Sequence, residues 1–127
     1  MSLHPTSFAD WQHYPSTLDP IHIAWLKNAK KSKTAFAVAD IEGVEISHKK
    51  FLTGVLLFSR KIEVYSPEQN VGLLLPSSGG GAIASMAILS LGKTIVNLNF
   101  TAGKKALQSA AQLAEVKHIY TSRKFLD

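Results

Sequence analysis

Ser77-Ser78-Gly79-Gly80-Gly81 is the run whose chemistry is easiest to name. Backbone amides in a glycine turn at a helix start point outward and attract anions, so the run invites a phosphate-binding reading. A dinucleotide fingerprint would need Gly-x-Gly-x-x-Gly and an acid about twenty residues further on. The strand that follows ends instead in Asn97 and Asn99. Three glycines equally suit a helix that packs closely on a sheet, and this structural reading competes with the phosphate one.

Other candidate chemistries fail on spacing. Gly92-Lys93-Thr94 imitates the end of a P-loop, but the required earlier glycine is Ala87, and the tripeptide leaves a helix where a P-loop enters one. The histidines are His4, His13, His22, His48 and His118. None lies in His-Glu-x-x-His, and none has an aspartate five residues later, so neither a metal site nor a His-x4-Asp acyltransferase site is indicated. No serine sits in Gly-x-Ser-x-Gly. Asp40, Glu42 and Glu45 flank a turn and read as solubilising residues. Asn97 and Asn99 alternate on one side of a strand end, where amides fix local turns or meet a ligand.

Composition narrows the field. The chain has 127 residues, of which 46% are apolar, enough for one core. It has no cysteine, which removes disulfides, thiolate metal sites and cysteine nucleophiles, and which suits a reducing, cytoplasmic compartment. Net charge is 14 − 9 = +5, carried partly by small clusters at Lys30, Lys31 and Lys33, at Lys49 and Lys50, and at Lys104 and Lys105. No run interleaves these cations with aromatics, so nucleic acid is not expected; solvated helix faces compete with an anionic partner or membrane surface. The N-terminus lacks a charged leader followed by an apolar block, so no signal peptide is expected. The longest apolar stretch, Gly79 to Leu91, is too short to span a bilayer and reads as a buried helix.

The elements that position these residues follow from local pattern. Residues 1–18 read as an irregular arm pinned by Trp11 and Tyr14. Asp19-Pro20 reads as a helix start, with an acid cap and proline at the first helical position. That helix should end near Lys31. Residues 34–47 read as a β-hairpin turning at Glu42-Gly43, with Phe36 and Val38 on one face. Ser47 should cap a helix running to about Lys61, whose inner face holds Phe51, Val55, Leu56, Ser59 and Ile62. Val71 to Leu75 is continuously apolar, as a central parallel strand requires. A helix from Gly79 to Leu91 ends at Gly92. Thr94 to Leu98 is a second strand, Thr101 should cap a helix over 102–114, and His118 to Thr121 is a third strand. Ser122 should cap one more helix. This order predicts a mixed α/β fold, a β-hairpin plus a βαβαβ unit with parallel strands, and the front of a larger α/β domain.

From Asp40 onward the residues resemble a family. DIEGVEISHKK (Asp40 to Lys50) is similar to the opening hairpin of the acyl-adenylate-forming enzymes, the AMP-dependent synthetase and ligase family. Ser47 and His48 stand where that family usually has threonine and tyrosine. NVGLLLPSS (Asn70 to Ser78) resembles its "V-G-hydrophobic-L-L-P-N-S" strand, with Ser77 in place of asparagine. VNLNFTAG (Val96 to Gly103) and YTSRKFL (Tyr120 to Leu126) look most like the group that couples an acyl-[acyl carrier protein] synthetase to a 2-acylglycerophosphoethanolamine acyltransferase.

The resemblance implies that residues 19–127 are the N-terminal fragment of an adenylation domain. It implies a parent that uses ATP and magnesium to make a fatty acyl-adenylate, then passes the acyl group to acyl carrier protein or CoA for lysophospholipid reacylation. The parent's remainder would be the fragment's main partner, and any membrane contact would come through the parent, at the inner-membrane cytoplasmic face. The family's "T-S-G-S/T-T-G-x-P-K-G" loop does not occur in the sequence, and no catalytic, cofactor or metal residue carries over. The fragment alone is expected to be inactive and without cofactor. Asn99, Gly103, Lys104 and Lys105 would lie near the path of the thiol acceptor, where the lysines would attract an acidic carrier protein. Two other readings stay open. One is a free-standing nucleotide- or phosphate-binding module using Ser77, Ser78, Gly79, Gly80 and Gly81; the other is a non-catalytic interaction domain.

Overall fold

A computed structural model describes residues 18–41, 43–123 and 126. The arm expected over residues 1–18 lies almost wholly outside them, as does the helix expected after Ser122.

Helix α1 (Ile21–Lys31) begins one residue later than the sequence suggests. Pro20 occupies the cap position, and its carbonyl accepts from the amides of Ile23 and Ala24, both at 2.9 Å. Asp19 does not cap; its carboxylate pairs with Lys27 Nζ at 2.6 Å. Strands β1 (Phe36–Ala39) and β2 (Glu45–Ser47) form the expected antiparallel hairpin. The register shifts between Phe36 and Val38, which breaks the alternation. Phe36 is therefore 65% exposed, while Ala37 and Val38 pack on the core.

Ser47 caps α2 (His48–Tyr65) by accepting from the Lys50 amide at 3.4 Å. Phe51, Val55, Phe58 and Ile62 recur at steps of four, three and four and face inward. Leu56 falls one residue off that stripe and is exposed, against expectation. Trp25 Nε1 donates to Nδ1 of buried His48 at 3.2 Å, which ties α1 to the start of α2.

The second sheet has the order β4-β3-β5, all parallel: β3 (Asn70–Leu74) lies between β4 (Thr94–Asn97) and β5 (Ile119–Thr121). Helix α3 (Gly79–Ser90) links β3 to β4, and α4 (Lys104–Leu113) links β4 to β5. The core lies between α2, α3 and one sheet face, formed by Phe51, Val55, Ile62, Val71, Leu73 and Ile88 with their neighbours. Phe58 meets Tyr120 edge-on at 5.0 Å between ring centres, joining α2 to β5. Helix α3 is apolar all round and is buried through Ala84, Ala87 and Ile88. No helix among the described residues is long and apolar enough to cross a membrane. Helix α4 buries no residue, and Leu113 at its end is 84% exposed.

Two turns carry left-handed backbone that matters. Gly92 ends α3 at φ +68°. Glu115 follows α4 at φ 51°, while the Val116 amide returns to the Ala111 carbonyl at 2.9 Å. That is a helix-terminating motif in the position that glycine fills most easily. Glu115→Gly is expected to stabilise the chain by about 1 kcal/mol, read as a rise in urea midpoint at unchanged slope. An unchanged or lower midpoint would show that the glutamate bears no backbone strain there.

The amino-terminal end of the sheet is tied by polar side chains. Lys93 Nζ donates to the Glu68 carbonyl at 2.6 Å, and Asn70 Nδ2 to the Ala114 carbonyl at 2.8 Å. Glu68 pairs with His118 Nδ1 at 2.8 Å. Burial alone would push the Glu68 carboxyl up, but its backbone hydrogen bond together with the His118 contact outweighs this and holds it below the ordinary value.

Candidate functional site

A cleft of about 830 Å³ opens at the carboxyl ends of β3 and β4. The connection after β3 leads to β4 on one side, and the connection after β4 leads to β5 on the other. The crevice therefore sits at the carboxyl ends of two strands joined by one βαβ crossover, the end of an open α/β sheet where ligands bind. Val38 to Ile41 of the hairpin form one wall, Leu75 to Ser78 the floor, and Asn97 to Phe100 the opposite wall.

Pro76 follows β3 and Ser78 starts α3. The Ser78 side chain accepts from the Gly81 amide at 3.1 Å, and its carbonyl accepts from the Ala82 amide at 3.0 Å. The Gly79 amide points at Asp40 Oδ2 at 3.4 Å. Asp40 Oδ1 accepts from the Val44 amide at 3.1 Å. One carboxylate thus closes the hairpin and meets the positive end of α3. Local pattern marks Asp40 only as a solubilising residue beside a turn, and the structure corrects that. Asp40 and Gly79 are far apart in the chain, and no local pattern links them.

The expected site residues fall in different places. Ser77, Ser78 and Gly81 line the cleft, Gly79 is buried under the hairpin, and Gly80 faces a second, apolar groove beside Gly54 and Ile83. Close packing explains two of the glycines. A Cβ on Gly81 would lie 2.8 Å from the Pro76 carbonyl oxygen, and one on Gly79 would lie 2.6 Å from Ile46 Cδ1.

Asn97 and Asn99 both line the far wall. Asn99 Oδ1 accepts from the Thr101 amide at 2.9 Å and from the Thr101 hydroxyl at 2.8 Å. Thr101 is therefore held in this turn and does not cap the next helix, contrary to expectation. Gly103 occupies that cap position, without a side-chain bond. Gly103, Lys104 and Lys105 are exposed at the start of α4, beside the cleft mouth in sequence but outside its lining. The first turn of α4 contains no acid, so both lysines stand at the positive end of the helix.

Asp40 is the cleft's one acid among the described residues, and no three His, Asp or Glu side chains among them are grouped to hold a metal ion. What the cleft offers is an apolar floor, serine hydroxyls, asparagine amides and one carboxylate engaged by backbone amides.

No family model matches the sequence. Solved structures do share its fold. The chain is similar to the N-terminal subdomain of Klebsiella oxytoca NpsA in complex with 3-hydroxyanthranilyl-AMSN, at 11% identity and a TM-score of 0.73, over 82% of this chain and 27% of that one. It is similar to a four-domain nonribosomal peptide synthetase bound to AMP and glycine, at 20% identity and a TM-score of 0.75, over 86% of this chain and 8% of that one. A third is a nonribosomal peptide synthetase protein containing adenylation and PCP domains, at 16% identity and a TM-score of 0.67, over 80% of this chain and 21% of that one. The chain spans less than a third of the length of each of these three structures. The mixed α/β fold is shared with the N-terminal subdomain of Klebsiella oxytoca NpsA and with part of the four-domain synthetase.

Proposed function

We propose that the chain forms the leading part of the adenylation domain of a fatty-acyl ligase. In the parent, a fatty acid carboxylate attacks the α-phosphorus of ATP, forming acyl-AMP and releasing pyrophosphate. The thiol of acyl carrier protein or CoA then attacks the acyl carbonyl and displaces AMP, and the thioester supplies lysophospholipid reacylation at the cytoplasmic face of the inner membrane. The observation that carries this reading is the cleft at the carboxyl ends of β3 and β4, set in a fold matched at a TM-score of 0.75 across 86% of the chain. Solved neighbours hold AMP or carry a PCP domain. The fatty-acyl and carrier-protein detail rests on VNLNFTAG and YTSRKFL, of which the first supplies the cleft's far wall and the second begins within β5 at Tyr120 and Thr121.

The residues present do not fit ATP or magnesium. The α3 amides from Gly79 to Ala82 are largely engaged internally, and the carboxylate of Asp40 stands where a phosphate would approach. The phosphate reading of Ser77 to Gly81 gains no support from this arrangement. In the proposed parent, the machinery that grips the triphosphate belongs to the rest of the domain. The contribution of this chain is the cleft wall and the turn at Asn99. Lys104 and Lys105 add positive charge beside it, suited to an acidic carrier protein.

The test has two arms. The isolated chain should show background ATP–pyrophosphate exchange with fatty acids and no heat on titration with ATP or AMP. In the parent, Lys104→Glu with Lys105→Glu should raise the carrier-protein KM about tenfold and leave kcat within about twofold. Turnover or nucleotide binding by the chain alone would overturn the fragment reading. An unchanged carrier-protein KM would remove the lysines from the acceptor path.

A further inference from the structure

Folding joins two lysine clusters that are separate in the sequence. The Lys49 amide donates to the Lys33 carbonyl at 3.0 Å, and the His48 amide to the Ala35 carbonyl at 3.0 Å. These bonds set the end of α1 and the turn after it against the first turn of α2. Lys30, Lys31, Lys33, Lys49 and Lys50 are all exposed on this seam. None of the five has an ion-pair partner among the described residues. Neither residues 20–39 nor residues 46–62 contain an acid.

Lys30 and Lys31 suit the negative end of α1. Lys49 and Lys50 are placed against the helix dipole, since they stand in the first turn of α2 with no acid beside them. Local helix stability therefore does not explain them. Phe36, 65% exposed, belongs to the same seam, because it pairs with Ser47 immediately before α2. The register shift that turns Phe36 outward puts an aromatic side chain in water on the same seam as the lysines.

We propose that this seam docks the protein on an anionic phospholipid surface. Five unpaired lysines match a diffuse negative headgroup layer, and a lone exposed phenylalanine matches the hydrocarbon boundary beneath it. All five cations are lysines, compact charges that need no fixed partner geometry, which suits a fluid surface. The inference is independent of the ligase reading, because it concerns the opposite use of the hairpin and no residue of the cleft.

Co-sedimentation of the purified chain with vesicles tests it. Partition onto phosphatidylcholine vesicles containing about one-third phosphatidylglycerol should exceed partition onto pure phosphatidylcholine by on the order of several hundred-fold, and should fall as salt shortens the screening length. Lys49→Ala with Lys50→Ala should weaken the anionic partition about 25-fold, roughly fivefold for each charge. Lys30→Ala with Lys33→Ala should do the same, which guards against a folding defect in either pair. Phe36→Ser should weaken binding several-fold, most visibly at high salt, where insertion outlasts the screened charges. Arg60→Ala with Lys117→Ala removes as much charge from elsewhere and should change partition less than about threefold. Equal binding to neutral and anionic vesicles overturns the proposal, as does an undiminished Lys49/Lys50 variant. Lysine-dependent binding to an acidic protein or to nucleic acid that is tighter than binding to anionic vesicles overturns the choice of partner.

Discussion

Ile88→Ala is expected to cost about 2–5 kcal/mol, a large share of the roughly 5–15 kcal/mol that holds a domain of this size. Ile88 is fully buried on α3 and belongs to the cluster that joins α2, α3 and the sheet. Its backbone also organises the helix end, since the Lys93 amide returns to its carbonyl at 3.2 Å. Truncation leaves a cavity in the middle of that cluster. The surroundings have little room to collapse, because Gly54 already brings α2 to contact distance of Ile83, where an added Cβ would lie at 2.9 Å. Leu113→Ala is the matched control. That side chain is 84% exposed on α4, and its loss should move the urea midpoint by less than about 0.5 kcal/mol in equivalent stability. If the two variants were equally stable, the core would not lie where α2, α3 and β3 meet.

The contrast between Ile88 and Leu113 also shows what the sequence could and could not reveal. Long apolar runs identified their elements directly. Val71 to Leu75 read as a central strand because both its faces had to be covered, and β3 does lie between β4 and β5. Ser47 and Gly92 read as helix boundaries because a hydroxyl cap and a left-handed terminus are local chemistry. Other assignments depended on register. Leu56 sits one residue off the buried stripe, and the shift between Phe36 and Val38 turned Phe36 outward, which alternation alone does not encode. Thr101 offered a plausible cap, but Asn99, two residues earlier, took its amide and hydroxyl first. The cleft was legible only in outline. Its walls follow from where parallel strands end, but Asp40 reaches Gly79 through tertiary packing that no spacing rule anticipates.

Gly81→Val is expected to cost about 3 kcal/mol, whereas Gly80→Ala should be neutral or stabilise by up to about 1 kcal/mol. The two positions are adjacent in one helical turn, so propensity alone would favour both changes. Geometry separates them. A Cβ on Gly80 meets only Ser78 Oγ, at 3.9 Å, whereas one on Gly81 lies 2.8 Å from the Pro76 carbonyl oxygen. That oxygen is backbone in the turn leaving β3 and cannot rotate away as a side chain would. Its displacement would shift Ser78, whose hydroxyl receives the Gly81 amide, and with it the floor of the cleft. A β-branched side chain adds a second conflict through its restricted rotamers in the helix. Urea unfolding of both variants measures the difference. This pattern is the one required if the triple glycine exists to bring α3 tightly against the turn after β3. A phosphate cradle makes a different demand, since it needs open amides at both positions and predicts loss of anion binding from either substitution with little change in stability. Two variants that unfold alike, and that both abolish measurable phosphate binding present in the parent chain, would reverse the assignment of this corner from packing to ligand recognition.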